Sequence, residues 1–268
     1  NLKEWTFESE AAFPTAHECP ELFELPVDDN AQETRWVLWS ASGNHLIGRF
    51  DGHTFSAQSE VLRSEWGKNC YAGQTWNNVP DGRRIFIGWM NSDGSAYRDM
   101  PFNQQMTVPR EFKLKMTGDG PRLFAWPVKE LEHLRREKLV AQGFQLDEGQ
   151  PPREFAVGEL LDIEAMVKPG EAKAIVLDIR GVPVVYRPQE GVLECQSTRV
   201  EGMPQTDAFN VRVLVDRTSL EIFALNGRYV MSFCWPFDAG NRTLRIWAEG
   251  GRADVALNVY ELASIWQK

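Results

Sequence analysis

The chain has 268 residues, with 29 Lys+Arg against 38 Asp+Glu for a net charge of −9, and a hydrophobic fraction of 43%. That length supports two domains or one large β-architecture, and the composition argues against wholesale disorder. No apolar run approaches the roughly 18 residues that cross a bilayer, and no basic run interrupts the acidic balance, so neither a membrane span nor a nucleic-acid surface is expected.

Strand follows strand, with turns at short intervals. Arg35–Trp39 is an apolar run, Ser42-Gly43-Asn44 turns the chain, and His45–Phe50 returns to an Asp51-Gly52 hairpin signal. Cys70–Trp76 and Arg84–Met90 flank Pro80-Asp81-Gly82, where Pro presets φ and Gly tolerates φ > 0. Gln105–Lys115 alternates again before the turn Gly118-Asp119-Gly120-Pro121. Val128–Arg135 places Val128, Leu131 and Leu134 on one face, which predicts a short linker helix. The second half returns to strands at Leu160–Val167, Ala174–Ile179, Val182–Tyr186, Phe209–Val215, Leu220–Ala224, Tyr229–Phe233, Leu244–Trp247 and Val255–Tyr260. Asn226-Gly227 is its strongest hairpin signal, and the even spacing predicts a β-sandwich. The first half lacks a βαβ rhythm and suits part of a propeller.

The four cysteines, Cys19, Cys70, Cys195 and Cys234, are widely spaced without a C-x-x-C pair and are expected as free thiols. The four histidines show no metal-ligand spacing, so no metal or cofactor is expected. The count of 10 Trp suits sugar stacking, though filling β-cores is the commoner use of Trp. The first residue is Asn1 rather than Met, and no leader with an apolar centre is visible. Missing N-terminal sequence would account for both, so the compartment is not legible.

The most informative run is His17-Glu18-Cys19-Pro20-Glu21-Leu22-Phe23. A carboxyl held against semi-apolar neighbours is disfavoured in its charged form, which is what a general acid requires. Taken alone, the run suits a solvated loop glutamate better. It is joined by Asn69-Cys70-Tyr71-Ala72-Gly73-Gln74-Thr75-Trp76, Pro80–Met90, Pro101–Glu111, Pro127–Leu131, Val213–Phe223 and Ser264-Ile265-Trp266. Together, and in this order, these runs resemble glycoside hydrolase family 32, the invertases, levanases, inulinases and other β-fructosidases.

The resemblance implies an all-β chain: a partial five-bladed β-propeller of two to three blades over 1–126, a helical linker over 127–141 and a C-terminal β-sandwich over 142–268. It implies retaining hydrolysis of fructose-containing oligo- or polysaccharides, with Glu18 as acid/base, Cys19 behind it tuning its surroundings, and Tyr71, Gln74 and Trp89 near the sugar. Tyr71 is a candidate to hydrogen-bond the catalytic carboxylate. A β-core role for these three is an equal alternative, and Asp216 and Arg217 are taken as structural. His17 stands where relatives often carry Trp.

The family's nucleophile run and its transition-state-stabilising run precede the acid/base run, yet only 17 residues precede Glu18. Asn91-Ser92-Asp93 and Arg98-Asp99-Met100 mimic those runs but follow Glu18, and are rejected. Blades of about 40–60 residues allow two to three in this span, so the expectation is half of a catalytic pair. The chain is then a β-fructosidase portion inactive alone. The alternatives are a non-catalytic fructan-binding or scaffolding remnant, or an assembly completed by another chain. An incomplete propeller is also expected to self-associate through its exposed blade faces.

Overall fold

The computed structural model describes residues 2–13 and 18–266; His17 lies outside the described residues. In the first half, β1 (Glu21–Val27), β2 (Asn30–Trp39), β3 (Asn44–Phe50) and β4 (Phe55–Ala57) form an antiparallel meander, with β5 (Leu62–Arg63) against β3. A second meander follows from β6 (Tyr71–Trp76), β7 (Arg84–Trp89), β8 (Arg110–Thr117) and β9 (Gly120–Pro127). Each is one four-stranded blade. The strands of the two blades pair at a single parallel step, Val27 opposite Leu114, where the Asp28 N–H donates to the Leu114 carbonyl at 2.9 Å.

The turns follow their residue chemistry. Asp51 Oδ1 accepts from the N–H groups of His53 and Thr54 at 2.8 and 2.7 Å, closing the β3–β4 turn around Gly52. Gln105–Pro109 does not continue the strand expected there, and β8 starts only at Arg110. The Met90 N–H donates to the Gln105 carbonyl and the Thr107 N–H to the Gly88 carbonyl, so this stretch is consumed in crossing the end of β7.

The linker departs from expectation. Lys129–Leu134 is a 3-10 helix with no buried residue, and from Arg135 the chain is already strand. A short segment without a buried face has nothing to hold an α-helix. The edge of a sheet is meanwhile available, and β10 (Arg135–Leu146) pairs with the last strand from Arg135 opposite Leu262. The sandwich therefore takes up the chain earlier than residue 142.

The second half adds β11 (Arg153–Ala156), β12 (Leu161–Lys168), β13 (Ala174–Ile179), β14 (Val182–Arg187), β15 (Val192–Cys195), β16 (Thr198–Val200), β17 (Phe209–Val215), β18 (Ser219–Ala224), β19 (Tyr229–Cys234), β20 (Thr243–Glu249) and β21 (Ala253–Leu262). They form two six-stranded antiparallel sheets, ordered β10-β21-β12-β17-β18-β19 and β11-β20-β13-β14-β15-β16. The chain is thus all-β, a partial propeller followed by a sandwich. The loop at Asn226-Gly227 has four residues rather than two, with Leu225, Asn226 and Gly227 all at positive φ.

One face of the first sandwich sheet fills the sandwich core. The other joins the propeller core, where Leu214, Phe223 and Val230 pack with Phe86, Phe112 and Trp39. All six residues of β18 are consequently buried, a pattern that a sheet covered on both faces produces. Inside the blades Phe86 stacks on Phe112 at 4.9 Å, and Trp39 tilts against both at 5.2 Å.

His45 on β3 is buried beside this aromatic group, 5.9 Å from the Trp39 ring, with Nδ1 3.3 Å from the Ser64 hydroxyl. Burial pulls its pKa down to about 4. The unfolded chain therefore binds the proton first as pH falls, and stability drops between pH 6.5 and about 4 while staying level above that window. The shift corresponds to about 3 kcal/mol. Urea unfolding at stepped pH should show this decline, and His45→Gln should flatten it; parallel curves for the two proteins would refute the assignment.

Candidate active site

Glu18 stands just ahead of β1, exposed to solvent. Its carbonyl accepts from the Ala41 N–H at 3.0 Å, which extends the β1–β2 pairing toward the site. The Tyr71 hydroxyl, at the start of β6, donates to Glu18 Oε2 at 2.5 Å. This hydrogen bond to a carboxylate holds the Tyr71 hydroxyl above its ordinary pKa. Gln74 Nε2 donates to the Cys19 carbonyl at 3.1 Å, so β6 grips the Glu18-Cys19 step at two points. Cys19 is half-buried and takes positive φ (49°), which turns the chain sharply between Glu18 and Pro20.

Residues 71 and 74 on a regular strand face opposite sides. A β-bulge changes this. Tyr71 pairs with Trp89 and Gln74 with Ile87, so Ala72 and Gly73 together oppose Gly88, with Ala72 at positive φ (49°). The extra residue brings Tyr71, Gln74 and Trp89 to one face. Trp89 is 38% exposed, and its indole N–H donates to Gln104 Oε1 at 2.9 Å. Among the five residues singled out from the sequence, the structure thus brings Glu18, Cys19, Tyr71 and Gln74 into direct contact and sets Trp89 across from Tyr71.

Three further carboxylates are engaged elsewhere. Glu21 accepts from the Thr75 N–H at 2.9 Å and from the Thr75 hydroxyl, with the Arg84 guanidinium 3.9 Å away. Asp93 accepts from the Ser95 N–H at 2.9 Å, just ahead of the 3-10 turn Ser95–Tyr97. Asp216 accepts from the Arg217 N–H at 2.7 Å in the turn before β18, and Arg217 pairs with Glu159 at 3.1 Å. Glu21 and Gln104 were not singled out from the sequence. Glu21 carried a signal, lying three residues from Glu18, whereas nothing local marks Gln104.

Gly73 is required by close approach: a Cβ there would lie 2.2 Å from the buried Phe86 ring. Gly73→Ala should cost about 1–3 kcal/mol through overpacking and should disturb the bulge. Thermal unfolding measures the first effect; an unchanged melting point would show that the blade accommodates the methyl group.

Two family models match the chain: the glycosyl hydrolases family 32 N-terminal domain over residues 1–127, and the family 32 C-terminal domain over residues 130–266. A levanase of Bacillus subtilis (strain 168) is 29% identical over 318 aligned positions, covering 99% of this chain and 46% of the levanase. Sucrose-6-phosphate hydrolase of Escherichia coli is 26% identical, covering all of this chain and 59% of that protein. The chain thus spans about half the length of the curated relatives it matches. The crystal structure of exo-inulinase from Aspergillus awamori superposes with a TM-score of 0.87 at 22% identity, over 99% of this chain and 61% of that one. With both halves matched in order and the same two-part architecture present, this chain belongs to glycosyl hydrolase family 32.

Proposed function

We propose that this chain carries the acid/base half of a retaining β-fructosidase site acting on fructose-containing oligo- or polysaccharides. The observation that carries the reading is the Tyr71–Glu18 hydrogen bond at 2.5 Å on an open face of the blades. Tyr71 occupies Oε2, which leaves Oε1 to deliver the proton. In the first step Glu18 gives its proton to the glycosidic oxygen as the bond to the fructosyl carbon breaks and a nucleophilic carboxylate bonds to that carbon. In the second step Glu18 takes a proton from water, whose oxygen displaces the carboxylate and frees fructose. Trp89 and Gln74 line the same face and are proposed to contact sugar, and Cys19 sets the turn behind Glu18. The levanase and exo-inulinase among the relatives act, by their names, on levan and inulin.

The mechanism needs a second carboxylate about 5–5.5 Å from the first. Glu21 and Asp93 are bound to Thr75 and Ser95, so the 268-residue chain by itself is proposed to be inactive. Assays for fructose release from sucrose, levan and inulin should read background for this chain. In a polypeptide that supplies the missing carboxylate, Glu18→Gln should lower kcat about a hundred- to ten-thousand-fold. Robust turnover by the bare chain, indifferent to Glu18→Gln, would overturn the role of Glu18.

A second reading, a non-catalytic fructan binder, draws on the exposed indoles of Trp76 (49%) and Trp89 (38%). Fructan binding by the bare chain that persists in Glu18→Gln, with no activity in any longer form, would favour it.

The blades also present exposed Trp76, Phe102, Met106 and Met116, and β4 and β6 end the sheet. We propose that these faces self-associate. Light scattering over a dilution series should show mass rising with concentration. A monomer throughout, with little binding of apolar dye, would count against it.

A further inference from the structure

The strand that carries Tyr71 does not begin freely. The segment before it, Glu65–Cys70, runs alongside β19, the last strand of its sandwich sheet. The Trp66 N–H donates to the Val230 carbonyl at 2.8 Å and the Asn69 N–H to the Ser232 carbonyl at 3.0 Å. Gly67 lies so close that a Cβ would meet the Ser232 backbone nitrogen at 2.0 Å.

Asn69 has the central place in this contact. Its Oδ1 accepts from the Cys234 N–H at 2.8 Å, and its Nδ2 donates to the Asn91 carbonyl at 2.5 Å. One side chain therefore ties the sandwich edge to the starting point of β6, two residues before Tyr71, and to the end of β7, two residues after Trp89. Those two strands carry the groups that face Glu18, and the bulge at Ala72-Gly73 follows immediately. Only Cys70 separates Asn69 from Tyr71, and the bulge beyond Tyr71 is packed on Phe86, so a shift at Asn69 passes to Tyr71.

We infer that Asn69 is a positioning residue for the Tyr71–Glu18 pair, through which the edge of the sandwich sets where the Tyr71 hydroxyl stands. This rests on the reading of Glu18 as the acid/base. It assigns the sandwich a part in the chemistry at a distance, through two side-chain hydrogen bonds, in addition to covering the propeller core.

The test reads the hydrogen bond itself and needs no activity. The chain has five tyrosines. Labelled with carbon-13 at Cζ, they give resolvable resonances, and Tyr71→Phe identifies the one of interest. Its position at neutral pH and its titration report donation to a carboxylate. Glu18→Gln should move that resonance to the position of an ordinary phenol; if it does not, the site geometry fails, whatever Asn69 does. With that arm satisfied, Asn69→Ala and the similar-sized Asn69→Leu should move the Tyr71 resonance at least half of the way to its Glu18→Gln position. Ile246→Val, in the far sheet of the sandwich, controls for lost stability and should leave Tyr71 unmoved. An unmoved resonance in folded Asn69→Ala or Asn69→Leu, or an equal displacement in Ile246→Val, would overturn the inference.

Discussion

A buried guanidinium joins the two halves of the molecule. Arg110, at the start of β8, is 2% exposed and reaches Glu65 at 2.8 Å on one side and Glu221 of β18 at 2.6 Å on the other. The carboxylates are satisfied further. Glu65 accepts from the N–H groups of Gly67 and Ser232 at 2.9 and 2.8 Å, and Glu221 accepts from the Val108 N–H at 2.8 Å. The Ser232 hydroxyl lies between them, receiving from Arg110 at 2.5 Å and donating to Glu65 at 3.0 Å. The carboxylates outweigh the burial and hold the guanidinium above its ordinary pKa. Such a cluster adds little net stability over an apolar substitute, but breaking it by removing one member leaves buried charge and costs about 3–5 kcal/mol. Its bonds have direction, so it fixes how the blades sit on the sandwich in a way that apolar contact alone does not.

The rest of the interface is arranged around that cluster. Phe86 and Phe223 bring ring faces to Arg110 at 5.9 and 5.2 Å. Two glycines let backbones meet: Gly67 against Ser232, and Gly227 against Ala125, where a Cβ would lie 2.1 Å from the carbonyl oxygen. Together these contacts cover the edge of β19, which would otherwise be open to pairing with another chain. A second group, on the face of the first sandwich sheet turned away from the sandwich core, works the same way. Arg212 grips Asp162 through two bonds of 2.9 and 2.8 Å, and Arg135 adds a third at 2.7 Å. That last bond holds the first residue of β10, where the chain leaves the linker.

The candidate site inherits its geometry from this joint. Arg110, Glu65 and Ser232 fix the segment entering β6; β6 presents Tyr71 and Gln74; these hold the Glu18-Cys19 step. The site follows directly on a segment held to the sandwich and is still open to solvent.

Several features of this protein were legible in its sequence because they are local. Turn residues marked most strand ends, since Gly and Asp at positive φ or in Asx turns act within four residues. The Asn226-Gly227 loop and the strands on either side of it fell where their residues indicated, although the loop is longer than the shortest hairpin allows. Glu18 stood out through its own run, and Tyr71 through the run that carries it. What tertiary structure decided is non-local. The spacing of Tyr71 and Gln74 places them on opposite faces of a regular strand, and only the bulge against Gly88 brings them together. Gln105–Pro109 alternates like a strand but is used to cross β7. Glu65, Arg110 and Glu221 read as ordinary charges on polar turns and strands. They become one buried cluster only when the chain brings residues 111 positions apart within 2.6 Å, because a charge is tolerated in a core only where the fold supplies its counter-charge.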